Sequence, residues 1–394
     1  MRALAFLLFS TLLGSLLSAQ SSANLGEIVR PGEKKELSIA IQASDPMVDA
    51  LAKRAFTLHG AFRVVSGPAD VTLQLRTSGS DTILFGAKTG RASFNGTVTG
   101  SDKLEATAMA CDDVVERLLG IPGFFAGKLA IVGERSGKKV IFVGDLFFQK
   151  MRPLTPPKAD SLSPKLSPDG TKLLYTTYAP TGFPDIYEIT LASGRATPFA
   201  TYKGTNTGAT YSPDGSRVAM ILSSSGNAEL YVSRGNGSSP KRLTNNRSLE
   251  AGPTWSPDGR NIVLTSDQRG KPQLYGIPAS GGSMKRLPTN ISGYCSEPAW
   301  NPRNPQLIAF TAATSGGFQL ALYNTATGKS KWLTSAVGDA IEPAWLNDGR
   351  HLLFTSRKNG ITRVEIFDTE TRRTSPLHSQ RFGNSSQANF VMPR

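Results

Sequence analysis

The chain is poor in the residue types that usually do chemistry. Its 394 residues include 2 cysteines and 3 histidines, and no His-Glu-x-x-His or clustered cysteine pattern offers a zinc site. Cys111 and Cys295 fall in different segments, and isolated cysteines of that kind read as buried thiols rather than a bridge. No Gly-x-Ser-x-Gly pentapeptide occurs, so the strained turn that presents a hydrolase nucleophile is missing. His59, His351 and His378 read as ordinary surface or packing histidines. Gly328-Lys329-Ser330 resembles the end of a phosphate-binding loop, but Tyr323 stands where the first glycine belongs and the stretch lies between strands, so it reads as a hairpin turn. An enzyme is not expected, nor a metal, nor any other cofactor.

Long apolar runs are equally scarce. Beyond the N-terminus none reaches the roughly 18 residues that a membrane span needs, so no other segment reads as inserted. Lysine and arginine total 44 against 30 acidic residues, a formal net charge of +14. The basic residues are nevertheless dispersed, with no run beyond pairs such as Lys34-Lys35 and Arg372-Arg373 and no basic motif interleaved with aromatics. That argues against nucleic acid; in an exported chain the charge suits acidic protein surfaces or anionic envelope polymers, and the dispersal reads equally well as an ordinary solvated basic surface.

The exception at the N-terminus is informative. Met1-Arg2 precedes an apolar run over residues 3–17, and Ser18-Ala19-Gln20-Ser21-Ser22-Ala23 follows. These are the charged, apolar and small-residue parts of a secretory signal, expected over residues 1–23 with cleavage after Ala19 or Ala23. Residues 24–36 are polar, contain Pro31 and Gly32, and read as a flexible arm.

From residue 37 the pattern changes. Residues 37–41 read as a strand, Asp45-Pro46 gives an N-cap followed by proline at the first helical position, and the helix runs to about Leu58. Alternation with period two marks strands at 62–65 and 71–75, with weaker ones near 82–85 and 91–98. Residues 104–119 read as a second helix that stops at Gly120, with Pro122 beyond. A small α/β domain over 37–127 is expected.

The rest of the chain is a repeat. Gly252-Pro253-Thr254-Trp255-Ser256-Pro257-Asp258-Gly259 ends in a turn, because Pro257 presets φ, Asp258 tolerates the third position and Gly259 can be left-handed. The turn returns at Pro168, Pro213, Pro302 and Asn347, stepping by 45, 44, 45 and 45 residues. Each period holds a pair of β-rich runs, a short strand such as Lys241-Arg242-Leu243-Thr244, and the strand entering the next turn. Four strands per period is one propeller blade. A further step of 45 from Trp345 lands on Phe390, giving a sixth innermost strand, while residues 128–155 supply three strands without one. The expected fold is mainly β: a six-bladed propeller over residues 128–394, closed by the C-terminal strand, which removes exposed sheet edges.

These turns, above all 253–259 followed by Leu264-Thr265-Ser266-Asp267-Gln268-Arg269-Gly270-Lys271-Pro272-Gln273-Leu274-Tyr275, resemble the TolB family. Val114-Val115-Glu116-Arg117-Leu118-Leu119-Gly120-Ile121-Pro122-Gly123-Phe124-Phe125 resembles that family's helix-to-propeller junction, and signal, α/β domain and propeller follow its order. The resemblance implies a non-enzymatic, periplasmic, monomeric protein-binding component of the Tol-Pal envelope system, peripheral to the membranes and active in envelope integrity and cell division. It implies a Pal-like peptidoglycan-associated lipoprotein at the channel mouth and a TolA-like inner-membrane protein on the N-terminal arm, here Glu27, Ile28, Val29 and Arg30. Aligned on Tyr211-Ser212-Pro213, Asn206 keeps its family identity and Ala251 stands at a family threonine.

Loops entering the innermost strands ring one mouth, which makes Thr205, Asn206, Gly208, Glu250, Ala251, Tyr294, Glu297, Asp339 and Glu342 the candidate partner-binding residues. The three glutamates among them, Glu250, Glu297 and Glu342, lead to the expectation of a basic or amide-rich partner surface. A propeller that binds glycan or peptidoglycan, or a diverged adaptor with another protein client, is the rival reading.

Overall fold

A computed structural model describes residues 36–179 and 181–393; the signal expected at 1–23 and the arm residues Glu27, Ile28, Val29 and Arg30 lie outside the described residues. The first unit is a five-stranded sheet of β1 (Leu37–Ala43), β2 (Phe62–Val65), β3 (Val71–Ser78), β4 (Thr82–Thr89) and β5 (Ser93–Thr99), ordered β2-β1-β3-β4-β5. β1 is parallel to both β2 and β3, and the remaining pairs are antiparallel.

Two helices cover one face of this sheet. In α1 (Pro46–Leu58) the Asp45 carboxylate accepts the Met47 and Val48 amides, and Val48, Leu51, Ala52, Ala55 and Phe56 recur on the buried stripe. Asp102 caps α2 (Lys103–Leu119) in the same way, and Gly120 ends it at φ 67° with its amide on the Glu116 carbonyl.

Six four-stranded antiparallel sheets follow. Their innermost strands are Ser161–Leu166, Asn206–Tyr211, Glu250–Trp255, Cys295–Trp300, Asp339–Trp345 and Ser385–Val391, taken below as blades one to six. Second strands such as Arg217–Leu222 and Leu307–Thr314 are buried almost throughout, because each lies between two neighbouring blades and reads as a continuous apolar run. The clusters between sheets show the same thing: Leu174 and Ile186 of blade one pack with Ala209, Val218 and Met220 of blade two.

The ring closes by pairing of the last propeller strand with the first. Ser385–Val391 is antiparallel to Lys128–Arg135, with Phe390 opposite Leu129 and Val391 opposite Lys128. Phe390 also explains Gly127, since a Cβ there would lie 1.8 Å from the phenylalanine ring.

At the far end of each innermost strand stands the repeated turn. Ser167, Ser212 and Ser256 hydroxyls lie 2.5, 2.5 and 2.6 Å from the carboxylates of Asp169, Asp214 and Asp258. The following glycines have φ between 65° and 71°, as the turn requires. The Ser212 hydroxyl, with Ser216 behind it, holds Asp214 down to about 2. Asn301 replaces the serine in blade four, accepting from the Arg303 and Asn304 amides.

Blade five departs from this pattern and receives the α/β unit instead. Leu346 replaces the serine, and His351 Nδ1 contacts Asp348 at 2.5 Å while its Nε2 reaches the His59 carbonyl. Asn347 donates to the Gly123 carbonyl at 2.8 Å. Beside it, buried Asp112 accepts the Phe125 and Ala126 amides at 2.7 and 2.9 Å. Burial pushes the Asp112 carboxyl up to about 7 against those hydrogen bonds. The three histidines, read from sequence as unremarkable, are all buried, and two of them form this junction. Cys111 and Cys295 are both free and buried.

Candidate partner-binding channel

The innermost strands enclose a channel of about 330 Å³. One position repeats around it: Ser163, Gly208, Gly252, Glu297, Glu342 and Gln387 all have positive φ, between 52° and 65°. In all six blades the pairing register shifts at that residue, which marks a β-bulge. The next residue is Pro164, Ala209, Pro253, Pro298, Pro343 or Ala388; a bulge is where proline can sit in a strand, because the ladder there needs no amide donor. The bulge re-aims the preceding side chain, and Ser163, Glu297, Glu342 and Gln387 hold a conformation that is unfavourable for anything but glycine.

The geometry shows what maintains that strain. Gln387 Oε1 accepts the Ser163 amide at 2.8 Å, Glu342 Oε2 the Gln387 amide at 3.1 Å, and Glu297 Oε2 the Glu342 amide at 2.9 Å. Each side chain thus satisfies the strained amide of the next blade. Where the preceding blade has Gly252 and no acceptor, the Glu297 amide turns to Thr265 Oγ at 3.2 Å. Thr311 and Thr355 donate to Glu297 and Glu342 at 2.6 Å each, and Gln387 Nε2 adds a bond to Glu342 at 3.2 Å. Indole donors repeat the inter-blade stitch lower down, Trp255 to the Thr210 carbonyl and Trp345 to the Ala299 carbonyl, both at 3.0 Å.

The channel is electrostatically mixed. Burial, reinforced by nearby Glu342, raises the Glu297 carboxyl above its usual range. Burial lowers the Lys165 ammonium, while Glu342 and Glu297 pull it the other way. A cation and two carboxyl groups therefore share one water-accessible but poorly solvated space.

The sequence-predicted site residues divide. Gly208, Glu297 and Glu342 line the channel together. Ala251 is exposed beside them, Thr205 and Tyr294 are part-buried at the mouth, and part-buried Asp339 accepts the Phe318 amide. Asn206 and Glu250 are not available as contacts. Asn206 is fully buried, its amide nitrogen on Asp185 Oδ1 at 2.9 Å and the Tyr202 carbonyl at 2.7 Å, so it ties its own loop. Glu250 is 2% exposed and accepts from Asn246 and Ser266, both at 3.0 Å. Burial, with the Glu229 carboxylate alongside, holds Glu250 up to about 7.

The expected acidic mouth is corrected accordingly. One of its three carboxylates is buried, and the other two are inside the channel serving strained amides. Sequence reasoning missed Lys165, Ser163, Gln387 and Asn389, which also line the channel. The same repeat step that located the turns would have placed them beside Gly208 and Glu342.

Comparison with known proteins agrees with this architecture. The family model described as TolB beta propeller domain matches residues 115–389. A Tol-Pal system protein TolB from Desulfosudis oleivorans is 31% identical over 189 residues, 48% of this chain and 41% of that one. A protein TolB homolog from Chlorobaculum tepidum is 31% identical over 157 residues, 39% of this chain and 36% of that one. The matched part thus spans less than half the length of either relative. The crystal structure of TolB from Acinetobacter baumannii superposes with a TM-score of 0.77 at 22% identity, covering 90% of this chain and 96% of that one, a likeness of fold.

Proposed function

Because the chain belongs to the TolB beta propeller domain family, we propose that it is the propeller component of a Tol-Pal envelope system, binding a Pal-like peptidoglycan-associated lipoprotein at the channel mouth. The observation that carries this reading is the strained ring. Four non-glycine residues are held at positive φ around one opening, and strain of that kind is retained where side chains must stand in fixed positions for a partner. The α/β unit supports it too. Its polar contacts with the propeller include Asn347, His351, Arg373 and Lys150 at the turn end of the blades, and the Leu377 carbonyl, which leaves the mouth free.

The remaining parts follow from the same reading. Residues 1–23 are the export signal to the periplasm, the arm with Glu27, Ile28, Val29 and Arg30 engages a TolA-like inner-membrane protein, 37–127 form the α/β domain, and 128–394 form the propeller. The protein binds and does not catalyse. Roles in envelope integrity and in constriction at division would be exercised through these two contacts. Among the described residues no helix is long and apolar enough to cross a membrane.

Calorimetric titration tests the reading, using the soluble domain of the Pal-like lipoprotein encoded in the same genome and, separately, muropeptides. One-to-one binding of the lipoprotein domain supports it. Binding of muropeptides alone would replace it with the glycan-binding reading.

A further inference from the structure

Antiparallel pairing within each blade puts two kinds of connection on the mouth side: the loop entering each innermost strand, and the hairpin between second and third strands. These loops carry the propeller's unburied hydrophobic side chains. Among the described residues, every large apolar side chain that the propeller leaves exposed is on them: Tyr178 at 41%, Phe183 at 65%, Tyr202 at 42%, Leu249 at 57%, Val337 at 77% and Ile361 at 47%. Their absence from the opposite end is not what scattered surface residues would give.

The same loops are basic. Exposed Lys138, Lys203, Arg247, Lys271, Arg357 and Lys358 extend over blades six, two, three and five, and among the described residues none of them has a carboxylate partner within 4 Å. The exposed carboxylate on these loops, Glu134, is already paired with Lys139. Asp160, Asp267 and Asp339 are part-buried and accept the Lys139, Leu249 and Phe318 amides. The rim therefore has the opposite sign to the carboxylates deeper in the channel.

We infer that the mouth is built to receive an acidic protein surface bearing apolar side chains, with the basic rim supplying the charge contacts and Tyr178, Phe183, Tyr202, Leu249 and Val337 the apolar ones. This deepens the proposed function and rests on it: the Pal-like partner should present carboxylates to this rim. A protein is favoured over an anionic polymer because a polymer would need the cations alone, whereas exposed aromatic and aliphatic side chains beside Arg247 and Arg357 suit a protein interface. Like charges would also repel a basic partner before contact, so association should be accelerated for an acidic one and slowed by salt.

The test uses the full-length mature protein and the purified Pal-like domain, titrated at about 50 mM and about 300 mM salt. We expect affinity to fall roughly tenfold between the two, R357E/K358E to weaken binding roughly tenfold at low salt, and F183S to weaken it at both. All three residues are exposed, Arg357 and Lys358 at the end of a strand and Phe183 in a loop, and circular dichroism verifies folding. Salt-independent binding unaffected by R357E/K358E would overturn this inference while leaving the proposed function standing. If charge reversal weakened binding and F183S did not, the apolar half of the inference would be wrong. No binding by the wild type would overturn the proposed function, and the assignment of its partner with it. Tighter binding of a polyanion such as heparin than of the domain would favour the polymer and overturn the protein assignment.

Discussion

His351 Nε2 lies 2.5 Å from the backbone carbonyl oxygen of His59, joining blade five to the end of α1. The other ring nitrogen is 2.5 Å from Asp348 Oδ2, so both sides of the imidazole face acceptors. All of these groups are buried. His351→Leu would remove the imidazole that links Asp348 Oδ2 to the His59 carbonyl, at a cost of roughly 2–4 kcal/mol. Equilibrium urea unfolding measures this; a loss under about 0.5 kcal/mol would show that the contact does not secure the junction.

Gly123 is the second lock on the same junction. A Cβ at this position would lie 2.2 Å from Asp112 Oδ1 and 2.4 Å from its Cα. Gly123→Ala should displace the segment that delivers the Phe125 and Ala126 amides to Asp112, costing on the order of 2–4 kcal/mol. By contrast Gly259→Val in the blade-three turn, where φ is 67°, should cost about 1–3 kcal/mol from strain alone. Thermal melts of the two variants rank them, and the reverse order would contradict this account of the junction.

The contribution of Glu250 to stability should fall as pH rises through the near-neutral range, against buried His59 and His378, whose lowered values act in the opposite sense. Glu250 is held up to about 7 in the fold from a usual 4.5, so between those values the folded state keeps a proton that the unfolded state has lost. Its contribution is most favourable below the lower value and is lost as pH rises towards the upper one. Asp112 acts in the same sense, from 3.8 to about 7. Glu250→Gln should therefore remove part of the decline, gaining on the order of 1–3 kcal/mol relative to wild type between pH 4.5 and 7.5. Parallel stability profiles for the two proteins would refute the assignment.

The ring of strained amides gives a fourth test. Glu342 Oε2 accepts from Thr355 and the Gln387 amide, and Oε1 from Gln387 Nε2; a glutamine keeps one carbonyl oxygen for the first two bonds and gives up the third. Glu342→Gln should stay within about 1 kcal/mol of wild type, whereas Glu342→Ala should lose about 1–3 kcal/mol. Equal losses on urea unfolding would mean that charge, rather than the acceptor position, is what the ring needs.

Much of the architecture was legible because the repeat is written in turn chemistry. Pro257, Asp258 and Gly259 each have a local reason to be where they are, and copies at a constant step locate every innermost strand from the turn side. Strands without such chemistry were harder. Arg195–Ala200, the outer strand of blade one, lacks the Lys-Arg-Leu-Thr pattern of other outer strands and gave no signal, nor did Thr374–Pro376. The site was legible only in part, because a loop position does not say whether a side chain points out or in. Asn206 and Glu250 begin their strands at equivalent positions and turn inward to satisfy buried loop groups, two residues before the bulge that aims Glu342 and its counterparts at the channel. His351 was opaque for another reason: its partner, the His59 carbonyl, is 292 residues away in sequence, and no local pattern encodes such a contact.

The measurement that bears most directly on the central claim is hydrogen exchange of the full-length mature protein with and without the Pal-like lipoprotein domain. The account predicts added protection in the loops at 201–205, 245–251, 291–297 and 336–342, which enter the innermost strands at the mouth, and little change at 167–170, 256–259 or in the sheet of the α/β unit. Protection centred on the turn end of the propeller, or on the α/β unit with the mouth loops unchanged, would contradict it.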